Sequence, residues 1–162
     1  MAVLHIPDLL AFAAILVWAA IGDMRRLIIP NWISLAIAGL YVLHVATSPT
    51  PVSALGGVAV GAATLAAGFG LFACNLIGGG DVKLMSAIAL WAGPMRIFDF
   101  LFVTAIMGGL VAVGVLASLH LRRRHLAPVG GASGGAASTE IPYGVAISIG
   151  GMFVAYAIYC GK

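Results

Sequence analysis

Charge is what this chain has least of. Asp, Glu, Lys and Arg make up 8% of its 162 residues, against about a quarter in an ordinary soluble domain. With 62% hydrophobic residues and a mean hydropathy of +1.14, there is too little polar surface to clothe a soluble globule, and that class is excluded. The formal charge of +3 comes with no basic stripe, so nothing points to nucleic acid. Cysteine is scarce too: Cys74 and Cys160 have no metal-type spacing and read as small hydrophobes. His5, His44, His120 and His125 are scattered, so no metal site is expected. Nor does a basic segment precede the first apolar run, where only His5 and Asp8 are polar, so that run reads as a retained span rather than a signal peptide. Long alternating strands are missing as well, which leaves helices to satisfy the backbone in lipid.

What is present is a series of continuous apolar runs. A helix needs roughly 20 apolar residues to cross the hydrocarbon. By that measure the chain is an all-α polytopic membrane protein, one domain over 1–162 with about six spans near 7–22, 32–46, 52–77, 82–92, 97–119 and 141–159. Pro30 suits the first turn of the second span, where its missing N–H costs nothing. Thr47-Ser48-Pro49-Thr50-Pro51 is a polar turn outside the membrane. In the third span Gly57 and Gly61 form a small-xxx-small pair fit for close helix contact. The fourth run is only half a span long and is stopped by Gly93-Pro94. After Arg122-Arg123-Arg124 the composition turns to Gly, Ala and Ser, so 121–140 reads as a flexible cytoplasmic loop, with the arginines on anionic lipid head groups.

Basic residues in short loops set the orientation. Arg25 and Arg26 place the first loop in the cytoplasm, and strict alternation then puts Gly78–Asp81 and Arg122–Arg124 on the same side. Asp23 and Asp81, far apart in sequence, therefore both sit at cytoplasmic ends of spans.

The stretch Gly78-Gly79-Gly80-Asp81-Val82-Lys83 joins a backbone able to turn sharply to an acid that lipid penalises unless it faces protein or water. In one reading Asp81 merely caps the next helix and Asp23 is a separate interfacial acid, the two balanced by Lys83 and by Arg25 or Arg26. In the other, two carboxylates at one depth share a site in which both cannot ionise cheaply, and one keeps its proton. Such a pair titrates as a unit and can hydrolyse peptides. The ionised acid takes a proton from water while the protonated one polarises the scissile carbonyl. Helix-end dipoles would make Asp81, at a helix start, the base and Asp23, at a helix end, the proton donor, although Arg25 and Arg26 oppose this order.

Asp23 ahead of Ile29-Pro30-Asn31, then Gly78-Gly79-Gly80-Asp81 with Lys83 two positions on, resembles the type IV prepilin peptidases, and Pro142-Tyr143-Gly144 with Ala146 is similar to the start of that family's last helix. The resemblance implies an aspartic endopeptidase of the bacterial inner membrane. Its partners would be membrane lipid and a prepilin or pseudopilin, whose short basic leader it removes at the cytoplasmic face. Asp23 and Asp81 would be catalytic, Gly78 and Gly80 the motif glycines, and Lys83, Pro30 and Asn31 motif positions in support. No cofactor is implied. Longer members carry paired Cys-x-x-Cys motifs ahead of the first span and also methylate the new N-terminus. Here the first span begins almost at Met1, so methylation is not expected, and the chain is similar to the short peptidase-only form of Flp pilus systems. Two other classes stay open: a proton-relaying transporter component using Asp23 and Asp81, and a non-catalytic assembly protein of a pilus or secretion machine.

Overall fold

The computed structural model describes residues 6–48, 53–125 and 141–161. Among them are five helices: α1 (Ile6–Arg26), α2 (Asn31–Thr47), α3 (Ala54–Ala73), α4 (Gly79–His125) and α5 (Tyr143–Tyr159). The six apolar runs of the sequence are met because α4 is folded on itself. Gly93 takes φ 57°, ψ −173° inside it, a backbone region that essentially only glycine occupies, and Pro94 follows at the start of the second arm.

The arm 79–92 explains why its apolar run is short. It is the centre of the bundle, with Val82, Leu84, Ala87, Ile88, Ala89, Trp91 and Ala92 all buried, and α2, α3 and α5 pack against α4. A helix sheathed by other helices does not itself have to match the bilayer thickness. Trp91 anchors its far end. The indole stacks on Phe12 of α1 at 4.5 Å, meets Tyr41 edge-on at 5.9 Å, and donates Nε1–H to the Ile37 carbonyl of α2 at 3.1 Å. Its N–H is thereby satisfied in an apolar core, as a buried indole requires. Next to it, His44 Nδ1 lies 3.4 Å from Asp8 Oδ2, so Asp8 is paired across α1 and α2.

These contacts fix the alternation. Asp8, His44, Trp91 and Pro94 mark one end of the bundle, while the end of α1, the starts of α2 and α5 and the start of α4 mark the other. The second arm of α4 returns toward that other end, where Gly108 passes Tyr143. It then continues as helix to His125, past the stop expected near 119. Leu119 to His125 contains no helix breaker and is rich in Leu and Arg, both good helix formers. Of the loop expected over 121–140, residues 121–125 are thus helical, and 126–140 lie outside the described residues.

Large apolar side chains point outward all round the bundle. Leu55 is 84% exposed and Phe98 79%, with Leu10, Trp18, Leu35 and Val42 also outside. On a soluble domain such a surface would aggregate. On this one it is the lipid face, and α1, α3 and α4 are long and apolar enough to cross a membrane.

The Gly57 and Gly61 pair does what its spacing predicts. A Cβ at Gly57 would meet the Tyr41 hydroxyl and come within 2.7 Å of the Leu90 carbonyl oxygen, and one at Gly61 would come within 2.6 Å of Leu90 Cδ2. Contact with a backbone oxygen cannot be relieved by a rotamer change. Gly57→Ala is therefore expected to push α3 off α4 and cost about 1–3 kcal/mol, a typical overpacking penalty. Thermal unfolding in detergent reads it, with Gly70→Ala, whose Cβ would meet nothing within 4 Å, as the neutral comparison.

Candidate active site

Three helix ends converge at the pole of the bundle opposite Trp91, and each brings one part of a site. α1 ends there with Asp23 in its last turn, buried to 5% exposure. Beyond Arg26 the chain leaves the helix at Leu27, whose φ of 53° is left-handed. That turn sends Ile29-Pro30 back across the pole before α2 starts at Asn31. Pro30 holds φ −64°, ψ 140° as the cap of α2, a rigid step from extended chain into helix.

The second part is the glycine run. α3 closes through Asn75, also left-handed at φ 57°, and α4 opens at Gly79. Asp81 stands in the first turn of α4 rather than at its cap. Its Oδ2 folds back to lie 3.1 Å from the point where Gly78 would carry a Cβ. Gly79 leaves room for the Phe72 ring, at 3.3 Å from its absent Cβ. Gly80 lets the chain come down on Ile29, whose Cβ and carbonyl oxygen would be 3.3 and 3.5 Å from a Cβ there. Two stretches read separately in the sequence, Ile29-Pro30-Asn31 and Gly78–Lys83, are one packed unit. Lys83 Nζ completes it by donating to Asn31 Oδ1 at 2.9 Å.

The third part is the start of α5. A Cβ on Gly144 would lie 2.8 Å from Asp23 Cγ, 2.8 Å from its Oδ2 and 2.8 Å from Ile29 Cδ1, so a side chain here would force the Asp23 carboxyl and Ile29 to move. The backbone N–H groups of Gly144 and Val145 are directed at the Asp23 carboxyl. Oδ2 of Asp23 is sealed from solvent and finds no hydrogen-bond partner among the described residues. A buried acceptor left unmet is costly, and the residue that carries it lines the open cavity at this pole.

This geometry removes the basis for ranking the two acids by helix dipoles. Asp23 sits at the carbonyl end of α1, but it also faces the N–H end of α5. Asp81 occupies the N–H end of α4. Each carboxyl has a positive helix end beside it, and the ordering expected from α1 and α4 alone does not follow.

Both carboxylates line a single open cavity of about 640 Å³, walled by Leu27, Ile28 and Ile29, by the stretch 75–81, by Phe72, and by Ile141 and Tyr143 from the approach to α5. They are close enough to interact electrostatically. The volume falls within the range of about 300–1,000 Å³ usual for ligand sites. Of the positions singled out in the sequence, Asp23, Asp81, Gly78 and Gly80 line this cavity. Pro30, Asn31 and Lys83 do not line it. The sequence reading gave no site role to Gly144, Ile29, Asn75 or Tyr143. Asn75 carried a usable signal, as a polar residue in an apolar run just before the glycines.

The type IV leader peptidase family matches residues 10–113, well over half of the 162. The chain belongs to that family. Neither a curated protein nor a solved structure matches it. The matched segment holds both acids and the glycine run, whereas α5 lies beyond it. As a leader peptidase family member, the protein is a polytopic membrane protein of a peptidase family, and a prepilin-like substrate is implied.

Proposed function

We propose that this leader peptidase is an aspartic endopeptidase whose catalytic pair is Asp23 and Asp81, and that it removes the leader of Flp-like prepilins or pseudopilins at the cytoplasmic face of the bacterial inner membrane. The observation that carries the reading is the convergence of the two acids, one from the end of α1 and one from the start of α4, on the wall of one open cavity. Family membership supports peptide hydrolysis as the reaction class.

In this mechanism the pair shares one proton. A substrate carbonyl and a water enter between the carboxyls. The carboxylate takes a proton from the water, which attacks the carbonyl carbon, and the carboxylic acid donates its proton to the carbonyl oxygen. The resulting tetrahedral intermediate collapses as the leaving nitrogen gains a proton, and the pair is left as it began. The N–H groups of Gly144 and Val145 stay directed at Asp23, and burial strengthens each of these interactions by lowering the local dielectric.

The cytoplasmic face follows from the positive-inside rule, with Arg25, Arg26 and Lys83 near the acid end of the bundle. A proton-relay function is less well supported. Transporter sites lie near the bilayer midplane at repeat interfaces, whereas Asp23 and Asp81 lie at helix ends and the helices show no internal repeat among the described residues.

Co-expression with a Flp-type prepilin tests the reading. The prepilin's N-terminal mass is expected to shift by loss of the leader with the native chain and to stay unshifted with Asp23→Asn or Asp81→Asn. Full processing with either variant contradicts the assigned pair.

A further inference from the structure

We propose that Lys83 and Asn31, both exposed, form a clamp that sets the spacing of the two acids, which makes Lys83 a positioning residue as well as a surface cation. The inference rests on the reading of Asp23 and Asp81 as the catalytic pair. Its basis is where Lys83 lies. Residues two apart on a helix face different ways, and Asp81 lines the acid cavity while Lys83 lines a separate apolar groove between α2 and α3. The ammonium is thus on the far side of the α4 first turn from the reacting atoms. Its contact across the fold is the 2.9 Å hydrogen bond to Asn31 Oδ1.

That bond closes a ring of contacts. From Asn31 the chain runs back through the rigid Pro30 to Ile29. Ile29 packs its Cβ and carbonyl on Gly80, next to Asp81, and its Cδ1 on Gly144, next to Asp23. Ile29 is buried and acts as the spacer between the two acids. Asn31 is the first residue of α2, so tying it to Lys83 fixes how far Ile29 reaches into the pole. The donor is charged, which makes the bond stronger than a neutral one. Lys83 and Asn31 therefore belong to one device, and the spacing between Asp81 and Lys83 follows from it: one side chain faces the cavity while the other holds its opposite wall.

The test uses the full chain, purified in detergent and assayed on a Flp-type prepilin. Lys83→Met keeps the length of the side chain and removes the donor; Asn31→Leu removes the acceptor. Each is expected to lower kcat by about 10–100-fold, the usual effect of displacing a catalytic group by an ångström or less, with KM within about twofold. The double variant should be no slower than the slower single one, since both break the same bond. Asn31→Asp, which retains an acceptor, should keep most of the activity. Additive losses, or unchanged kcat in both single variants, overturn the clamp.

A second readout is independent of the reaction. Spin labels are placed at Ile28 and Leu76, on opposite walls of the cavity and both exposed, after Cys74 and Cys160 have been replaced by serine. One narrow distance distribution is expected with Lys83 present and a broadened one with Lys83→Met. An unchanged distribution contradicts the clamp whether or not the prepilin is cut. Failure of the otherwise native chain to cut the prepilin would count against the peptidase reading and leave the distance measurement to decide the clamp.

Discussion

Asp23→Asn and Asp81→Asn each reduce leader cleavage by about a thousandfold or more, the middle of the range for removing a positioned acid or base, and the double variant loses no more than either alone. Non-additivity is the sharper part of this expectation. Two carboxyls that share one proton act as a unit, and removing either leaves the other without its function. Asparagine keeps the size and polarity of aspartate, so the bundle should unfold at nearly the native temperature in both variants. Rates multiplied in the double variant would instead describe two independent sites. The same sharing makes the rate bell-shaped in pH for the native enzyme: activity falls when both carboxyls are protonated and again when both are ionised. Its two limbs belong to the pair.

Gly144→Ala should be nearly as damaging, by about a hundredfold, although it changes no acid. The new methyl would stand 2.8 Å from both Asp23 Cγ and Oδ2 and equally close to Ile29 Cδ1, nearer than carbon and oxygen atoms approach. Either α5 withdraws its first turn or Asp23 swings aside. Both movements take the Gly144 and Val145 N–H groups off the carboxyl and displace it relative to Asp81, and small displacements at a reacting centre are expensive. Gly70→Ala, at an uncrowded site on α3, is the control and should cut at the native rate. Native cleavage by Gly144→Ala would mean that Asp23 does not depend on α5 for its position.

These two expectations differ in how visible they were in the sequence. Asp23 and Asp81 stand out because charge is rare in the chain, so each acid between apolar runs asks for an explanation. The helix count and their alternation follow from hydropathy and basic residues, which respond directly to the membrane. Gly57 and Gly61 declare themselves by spacing alone. Gly144 is visible only as part of Pro142-Tyr143-Gly144, and its crowding against Asp23 is not, because it is one of 22 glycines and the contact comes from a side chain on a helix at the other end of the chain. The Lys83–Asn31 bond is equally hidden, since hydrogen-bond partners from distant segments leave no periodicity. The dipole ordering of the acids lost its basis for the same reason: the start of α5 acts on Asp23, and local reading from α1 does not include it. The extension of α4 through Arg122–Arg124 was missed differently, by taking a change from apolar to basic residues as the end of a helix when it marks only the end of the apolar run.

The role of the acid pair is tested most directly by hydrolysis in ¹⁸O-labelled water with added hydroxylamine, using the purified chain and a Flp-type prepilin. Attack by water held between Asp23 and Asp81 predicts heavy oxygen in the new C-terminal carboxyl of the leader, no hydroxamate, and no product from either Asp→Asn variant. A leader diverted to hydroxamate would reveal an acyl-enzyme and a nucleophile elsewhere in the protein, and undiminished cleavage by Asp23→Asn or Asp81→Asn would remove the pair from the reaction.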